Sequence, residues 1–320
     1  MTTPYTLHPT PCFFSFMINI AVIGVGYLGR HHARVFSELP DARLVAVVDT
    51  DIKRASEIAE KHGCRAVSSF AEILDEVDAV SIVTPTTKHY QIALECLNAE
   101  KDIFVEKPFT VTVSEADELI NEAVRRDRLI QVGHIERFNP AIIKAEGMIE
   151  SPIFFESERL SPFLRRGTDV DVTLDLMIHD IDIILTLTNS KVRDVKAVGK
   201  KVLTERLDVA KAWIEFENGI SALTTAGRLS SEKRRILKVF QENSYVIIDY
   251  QEHTITRYGK REGDICRESF KVERKEPLKL ELEDFIRAVK NHERPKVSGE
   301  DGREALRVAM MINEKIKEQL

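Results

Sequence analysis

Through the first two-fifths of the chain, short apolar runs alternate with longer stretches whose apolar positions recur every three or four residues. Ile18–Ile23, broken only by Asn19, is such a run; so are Leu44–Val48, Ala79–Val83, Ile103–Val105 and Leu129–Val132. Runs this short and this apolar predict strands buried on both faces. Tyr27–Leu39 and Ile52–His62 carry helical spacing, and Ser114, with Asp117 three residues on, reads as the start of a helix through Arg126. The alternation predicts an α/β unit with a doubly wound parallel sheet.

Beyond about Pro152 strand-like stretches follow one another without helices between them: Val192–Val202, Val209–Phe216, Ile220–Ala226, Ile236–Phe240 and Tyr245–Ile248. Asn218-Gly219 is a hairpin signal between two of them. A helix over Thr173–Leu187 precedes this series, so the second half is expected to be α+β with a mostly antiparallel sheet. Two amphipathic helices, Leu280–Lys290 and Gly302–Glu318, end the chain and are expected to pack back across both domains. The expected division is an extension over 1–16, a Rossmann domain over 17–136, a substrate and oligomerisation domain over 137–300, and a terminal helix over 301–320 returning to the Rossmann domain.

At 320 residues there is room for two cores without covalent staples. The net charge of -6 argues against binding nucleic acid through phosphate attraction. Cys12, Cys64, Cys96 and Cys266 lie far apart with no CxxC spacing, which suggests neither a zinc site nor a disulfide framework. No apolar run approaches the roughly 20 residues of a membrane span, and the first 16 residues hold no Lys or Arg to begin a signal peptide. A cytoplasmic protein is expected. The opening segment reads either as a disordered extension or as the product of an upstream start codon, since Met17 stands directly before the first strand.

Chemistry enters at the first turn. Gly24-Val25-Gly26-Tyr27-Leu28-Gly29 joins a strand to a helix, and its glycines suit a tight turn, close approach of backbone to a pyrophosphate, and close helix–strand packing. The pyrophosphate would lie at the helix N-terminus. Twenty residues after Gly29, Asp49 closes the second strand, where a carboxylate accepts ribose hydroxyls. With Asp51 close behind and no Arg directly after Asp49 to hold a 2′-phosphate, NAD is expected over NADP.

A second group carries the reaction. Glu106-Lys107-Pro108 follows the strand Ile103–Val105 and puts a lysine at the carboxyl end of a parallel strand, where open α/β sheets bind ligands. In Thr173–Leu187, Asp175, His179, Asp182 and Thr186 recur at spacings of four, three and four, one polar stripe on an apolar helix. A histidine there accepts a hydroxyl proton near neutral pH while hydride leaves the same carbon, and a nearby ammonium favours the developing alkoxide. The competing reading makes His179 and Asp182 satisfied polar groups at a domain seam. A metal site is set aside because no third ligand stands at a recognisable spacing.

The glycine turn with Asp49, Glu-Lys-Pro at a strand end, and Asp-x-x-x-His opening the second half together resemble the glucose-fructose oxidoreductase, inositol dehydrogenase and rhizopine catabolism (Gfo/Idh/MocA) family. The resemblance runs from Met17 to the C-terminus. It implies Lys107 as catalytic lysine, Asp175 as substrate-binding aspartate and His179 as general acid/base. It also places Thr84, Pro85, Thr86 and His89 near the nicotinamide ribose, with Glu106, Lys107 and Gln131 as further cofactor contacts, and it implies a homodimer or homotetramer built on the open face of the second sheet. The stretch Gln131–Pro140, with Pro162–Gly167, is similar to a subgroup that oxidises the 3-hydroxyl of UDP-N-acetylglucosamine ahead of a transamination, in diamino-sugar synthesis for lipid A or surface glycans. Arg137, Asn139, Arg165 and Arg166, and more weakly Arg228, are then substrate-binding candidates, the paired guanidinium groups suiting a diphosphate. The family's usual glycine-rich lead into the aspartate is replaced by Thr168–Thr173, which leaves the sugar open. Inositol or a free sugar is the alternative substrate, and a catalytically inactive NAD-binding regulator the alternative class.

Overall fold

Strand β1 (Ile18–Ile23) lies at the centre of a six-stranded parallel sheet with β2 (Ala42–Val48), β3 (Arg65–Val67), β4 (Ala79–Ile82), β5 (Asp102–Glu106) and β6 (Ile130–Gly133), in the order β3-β2-β1-β4-β5-β6. The computed structural model describes residues 17–163 and 170–319, so the expectations for 1–16 and for Arg165 and Arg166 lie outside the described residues. Because β1 is flanked by β2 on one side and β4 on the other, strand order reverses there, and a crevice opens at the carboxyl ends of β1 and β4. Helices α1 (Gly29–Glu38), α2 (Ile52–His62), α3 (His89–Asn98) and α4 (Val113–Arg126) connect the strands. Helix α4 begins earlier than Ser114: Thr112 accepts the N–H of Glu115 at 3.2 Å while the Glu115 carboxylate accepts the N–H of Thr112 at 3.0 Å. That reciprocal cap satisfies two otherwise unpaired donors and fixes the start.

After α5 (Pro140–Glu146) the chain builds an eight-stranded sheet from β7 (Pro152–Leu160), β8 (Val192–Lys200), β9 (Val209–Phe216), β10 (Ser221–Gly227), β11 (Arg234–Gln241), β12 (Ser244–Asp249), β13 (Thr254–Arg261) and β14 (Asp264–Lys271). Its order is β14-β13-β12-β11-β7-β10-β9-β8; all neighbours are antiparallel except β7 and β10. The Asn218-Gly219 turn joins β9 to β10, with Gly219 at φ +87°. Three strands escape the hydrophobic pattern. Strand β7 alternates in burial but turns Ser157 and Arg159 inward beside Phe155, so its inner face does not read as apolar, and β13 and β14 lie at the sheet edge, with most of β14 exposed.

One face of this sheet is covered. Ile181 and Ile184 of α6 (Ile178–Thr188) and Ile312 and Ile316 of α8 (Gly299–Lys317) share a core with Phe155, Ala212 and Leu237. The last two helices differ from the expected division. Leu278, Leu282, Phe285 and Ile286 of α7 (Pro277–Asn291) pack with Ile20, Phe36 and Phe104, so α7 belongs to the core of the first sheet. Helix α8 touches both halves: Gly302 lies against Val132 of β6, whereas Ile316 lies against Gly199 of β8. Amphipathicity announces a buried stripe but not the surface that buries it.

Candidate active site

The first wall of the crevice is made by backbone. Strand β1 ends in Gly24 at φ +90°, and a Cβ on Gly29 would stand 1.8 Å from the Gly24 carbonyl oxygen, so only glycine allows this turn to close. A Cβ on Gly26, by contrast, would meet nothing within 4 Å. Tyr27 and Leu28 are exposed beside it, at the N-terminus of α1, where peptide N–H groups and the helix dipole favour a phosphate.

Asp49 closes β2 at the rim. Its Oδ2 accepts the Val25 N–H at 3.1 Å and its Oδ1 the Asp51 N–H at 2.9 Å, which ties the acid to the glycine turn. Arg54 of α2 reaches it at 3.3 Å, a neighbour five positions along the chain. Across the crevice, the Thr84-Pro85-Thr86 segment follows β4. Open space over Gly26, a helix N-terminus and a rim carboxylate fit a dinucleotide, with Gly24–Gly29 toward its phosphates and Asp49 toward a ribose.

The second wall is made by side chains. Lys107 leaves the end of β5 and donates from Nζ to the Asp175 backbone carbonyl at 2.8 Å and to Asp175 Oδ1 at 3.1 Å. Thr173–Met177 form a π-helical turn ahead of α6, anchored by the Thr173 hydroxyl, which lies 2.6 Å from Asn313 Oδ1 on α8. Such widened turns often mark functional positions. His179 follows one turn on and is half-buried, with Nδ1 enclosed and without a hydrogen-bond partner among the described residues. Its pKa is lowered well below the usual histidine value, first by loss of water around the ring and then by Lys107 and Arg159. The ring is therefore neutral at physiological pH.

The expected polar stripe divides. Asp175 and His179 turn toward Lys107, while Asp182 pairs with Arg137 at 2.9 Å and Thr186 bonds back to the Asp182 carbonyl at 2.8 Å. Below them lies a buried ionic cluster that sequence reasoning missed. Arg159, 2% exposed, meets Asp180 and Glu136 at 2.8 Å each, and Arg235 reaches Glu136 at 3.4 Å. Burial pushes the Asp180 carboxyl up, whereas Arg159 and Arg235 help hold Glu136 low. In sequence these residues are scattered charges; it is the burial alternation along β7 that turns Arg159 inward.

Several anticipated ligand contacts are taken up by protein partners instead. Gln131 is fully buried and donates to the Glu281 carbonyl at 3.0 Å, away from the glycine turn. Asn139 caps α5 by accepting the Ala141 N–H at 3.0 Å and donates to Glu136 at 3.0 Å. Arg137 is held by Asp182, with Asp301 at 3.7 Å, and faces a groove between α6 and α8. Arg228 is buried and donates to the Val170 carbonyl at 2.7 Å. His89 has its ring nitrogens 2.8 Å from the Thr84 carbonyl and 3.0 Å from that of Pro108, so it fastens two loops of the crevice rather than lining it. Glu106 accepts the Lys107 N–H at 3.1 Å and contacts the His32 ring at 3.2 Å.

Residues 18–134 match the oxidoreductase family with an NAD-binding Rossmann fold, and residues 148–248 match the GFO/IDH/MocA C-terminal domain. The UDP-N-acetylglucosamine 3-dehydrogenase of Acidithiobacillus ferrooxidans is 37% identical over 92% of this chain and 96% of its own. The chain belongs to the Gfo/Idh/MocA family. It is an NAD-dependent oxidoreductase with a Rossmann sheet and a mostly antiparallel second sheet, as its sequence implies. A solved structure of the same Acidithiobacillus enzyme superposes with a TM-score of 0.91 at 36% identity, covering 95% of this chain and 99% of that one. The myo-inositol 2-dehydrogenase of Thermotoga maritima is more distant, at 28% identity over 94% of this chain and 97% of its own. The scyllo-inositol dehydrogenase of Lactobacillus casei shares the fold, with a TM-score of 0.81 at 21% identity over 95% of this chain and 98% of that one.

Proposed function

We propose that this enzyme oxidises a secondary hydroxyl of a sugar nucleotide to a ketone, with the 3-hydroxyl of UDP-N-acetylglucosamine as substrate. The observation that carries the chemistry is the pairing of Lys107 with Asp175, with His179 one turn on and within the field of the Lys107 charge. The substrate assignment is supported by similarity to the Acidithiobacillus dehydrogenase along nearly the whole chain.

His179 takes the hydroxyl proton, since its lowered pKa keeps the ring neutral and able to accept. The Lys107 ammonium, oriented by two oxygens of Asp175, faces the oxygen on which charge develops. Asp175 also offers acceptor capacity to a neighbouring sugar hydroxyl. Bound NAD supplies the acceptor for the hydride leaving the same carbon. Arg165 and Arg166 are assigned to the diphosphate on their charge alone.

The open face of the second sheet is assigned to a homo-oligomer. It carries a ladder of aromatic contacts, Phe154 on Trp213 and Phe240, Phe240 on Tyr245, and Tyr245 on Tyr258. An exposed apolar surface of this kind marks a protein contact. A ketone product calls for a consuming step, and an aminotransferase is the fitting class. No helix among the described residues is long and apolar enough to cross a membrane; the cytoplasm is the compartment proposed.

The test is NADH formation with a panel of UDP-sugars, free hexoses and inositol, with and without an aminotransferase and glutamate. Turnover of UDP-N-acetylglucosamine, lost in His179→Ala, supports substrate and mechanism together. Turnover of inositol or a free sugar instead sinks the substrate assignment, and tight NAD binding with no turnover of any alcohol sinks the enzymatic reading in favour of a regulator.

A further inference from the structure

Three buried ring nitrogens gather behind the crevice. Both nitrogens of His134 and Nδ1 of His179 are enclosed and have no hydrogen-bond partner among the described residues. His134 is fully buried and directly follows β6; the preceding residue, Gly133, is pressed so closely by the Glu106 carboxyl that a Cβ there would stand 2.9 Å from it. The two imidazoles lie edge to face, with centroids 6.5 Å apart and planes at 86°. A buried imidazole with neither nitrogen satisfied carries a desolvation cost that a phenyl ring in the same place would avoid. Its nitrogens therefore call for a use, and the ring set against it, that of His179, also has an unpaired Nδ1.

We propose that His134 is the proton partner of His179, receiving the Nδ1 proton through one bridging water as Nε2 takes the proton of the substrate hydroxyl. This rests on the reading of His179 as the base. In the step the substrate O–H bond breaks and its proton passes to Nε2. The C–H electron pair leaves as hydride to NAD, the C=O double bond forms, and the Nδ1 proton passes to the water as the water gives one to a His134 nitrogen. His179 ends neutral and His134 protonated.

Charge placement favours this division. The charges that act most on His179 are cations, Lys107, Arg159 and Arg235. Around His134 stand Asp182 and Glu106 as well as Arg137 and Lys107. Burial lowers the pKa of both rings, but His179's is pushed the further, so a positive ring is the better tolerated one imidazole further in. The centroid spacing exceeds a direct hydrogen bond between rings and suits a single water held by two nitrogens. His134 acts through His179 and is a positioning residue for the proton, not a group that touches the substrate.

The test compares His134→Phe, His134→Ala and His179→Ala with the wild type, using any alcohol the substrate panel turns over. His134→Phe is expected to keep NAD affinity and melting temperature while its single-turnover oxidation rate falls about ten- to a hundredfold. A proton inventory in mixed light and heavy water is expected to curve in the wild type and become linear in His134→Phe. Added imidazole is expected to rescue His134→Ala. An unchanged rate in His134→Phe, or a linear inventory in the wild type, overturns the proposal. If His179→Ala also keeps its rate, the base assignment itself has failed, which separates the two ideas. Nitrogen-15 NMR of the histidine-labelled chain without substrate gives a reading that needs neither turnover nor the cofactor. The His179 Nδ1 signal should shift in His134→Phe, and a signal that does not move overturns the pairing.

Discussion

The two walls of the crevice are built from different materials. The Rossmann wall is backbone and open space: a turn that only Gly29 lets close, a bare surface over Gly26, and a helix N-terminus. The facing wall is charge: Lys107 on Asp175, and beneath them Arg159 between Asp180 and Glu136. A backbone site depends on the shape of one short segment and should fail locally. A charge site depends on every partner being present, so a single deletion leaves another charge buried and unpaired.

The largest effect that would separate the walls is on turnover. His179→Ala should lower kcat by about 10²–10⁴-fold while NAD affinity, measured by calorimetry, stays within about twofold. Because its pKa lies well below the usual 6.5, the base remains competent as pH falls past that value. The acid limb of the kcat profile should therefore lie on the acid side of an ordinary histidine; a limb near neutrality would mean that neither burial nor the cations around the ring lower its pKa in the working enzyme.

Stability comes next in size. Arg159→Met leaves Asp180 and Glu136 facing each other in the interior, and urea unfolding should show a loss of about 3–5 kcal/mol. The comparison sharpens if Arg159→Met with Asp180→Leu recovers part of it, since the cost lies in the stranded charge and not in the missing guanidinium.

On the opposite wall, Gly26→Ala should leave the melting temperature unchanged, because its Cβ touches no protein atom within 4 Å. NAD affinity should fall about tenfold, the cost of a methyl group against a closely approaching ligand, roughly 1–2 kcal/mol. Gly29→Ala should instead unsettle the fold itself. If Gly26→Ala bound NAD normally, the cofactor would not approach the turn here.

The smallest effect tests a buried acid between the walls. Glu281 of α7 has both carboxylate oxygens enclosed and without a hydrogen-bond partner among the described residues, and burial together with Glu106 and Asp182 pushes its pKa well up. The folded chain keeps a proton that the unfolded chain releases above about pH 4.3. Stability therefore falls as pH rises through and beyond that value. Glu281→Gln removes this loss and should stabilise the protein by on the order of 1 kcal/mol at neutral pH, more at higher pH and less near pH 4. A gain independent of pH would point to packing instead.

What could be read from sequence was whatever repeats or sits close together. Apolar runs and helical spacing determined the parallel sheet and the second α+β half, because burial on two faces or on one stripe writes itself into consecutive residues. The Gly24–Gly29 turn with Asp49 could be read for the same reason, since all its parts lie within one strand–turn–helix–strand unit. Lys107 and the Asp175–His179 pair could be named as separate candidates, and their pairing came through family resemblance. Tertiary structure alone decided the rest. It folded α7 back onto the first sheet, drew Gln131, Arg137 and Asn139 onto protein partners, and set Arg159, Glu136, Asp180 and His134 beneath the site. A charge in a sequence looks the same whether solvent or an opposite charge awaits it; only the packing of distant elements, which removes the water, turns it into part of a site.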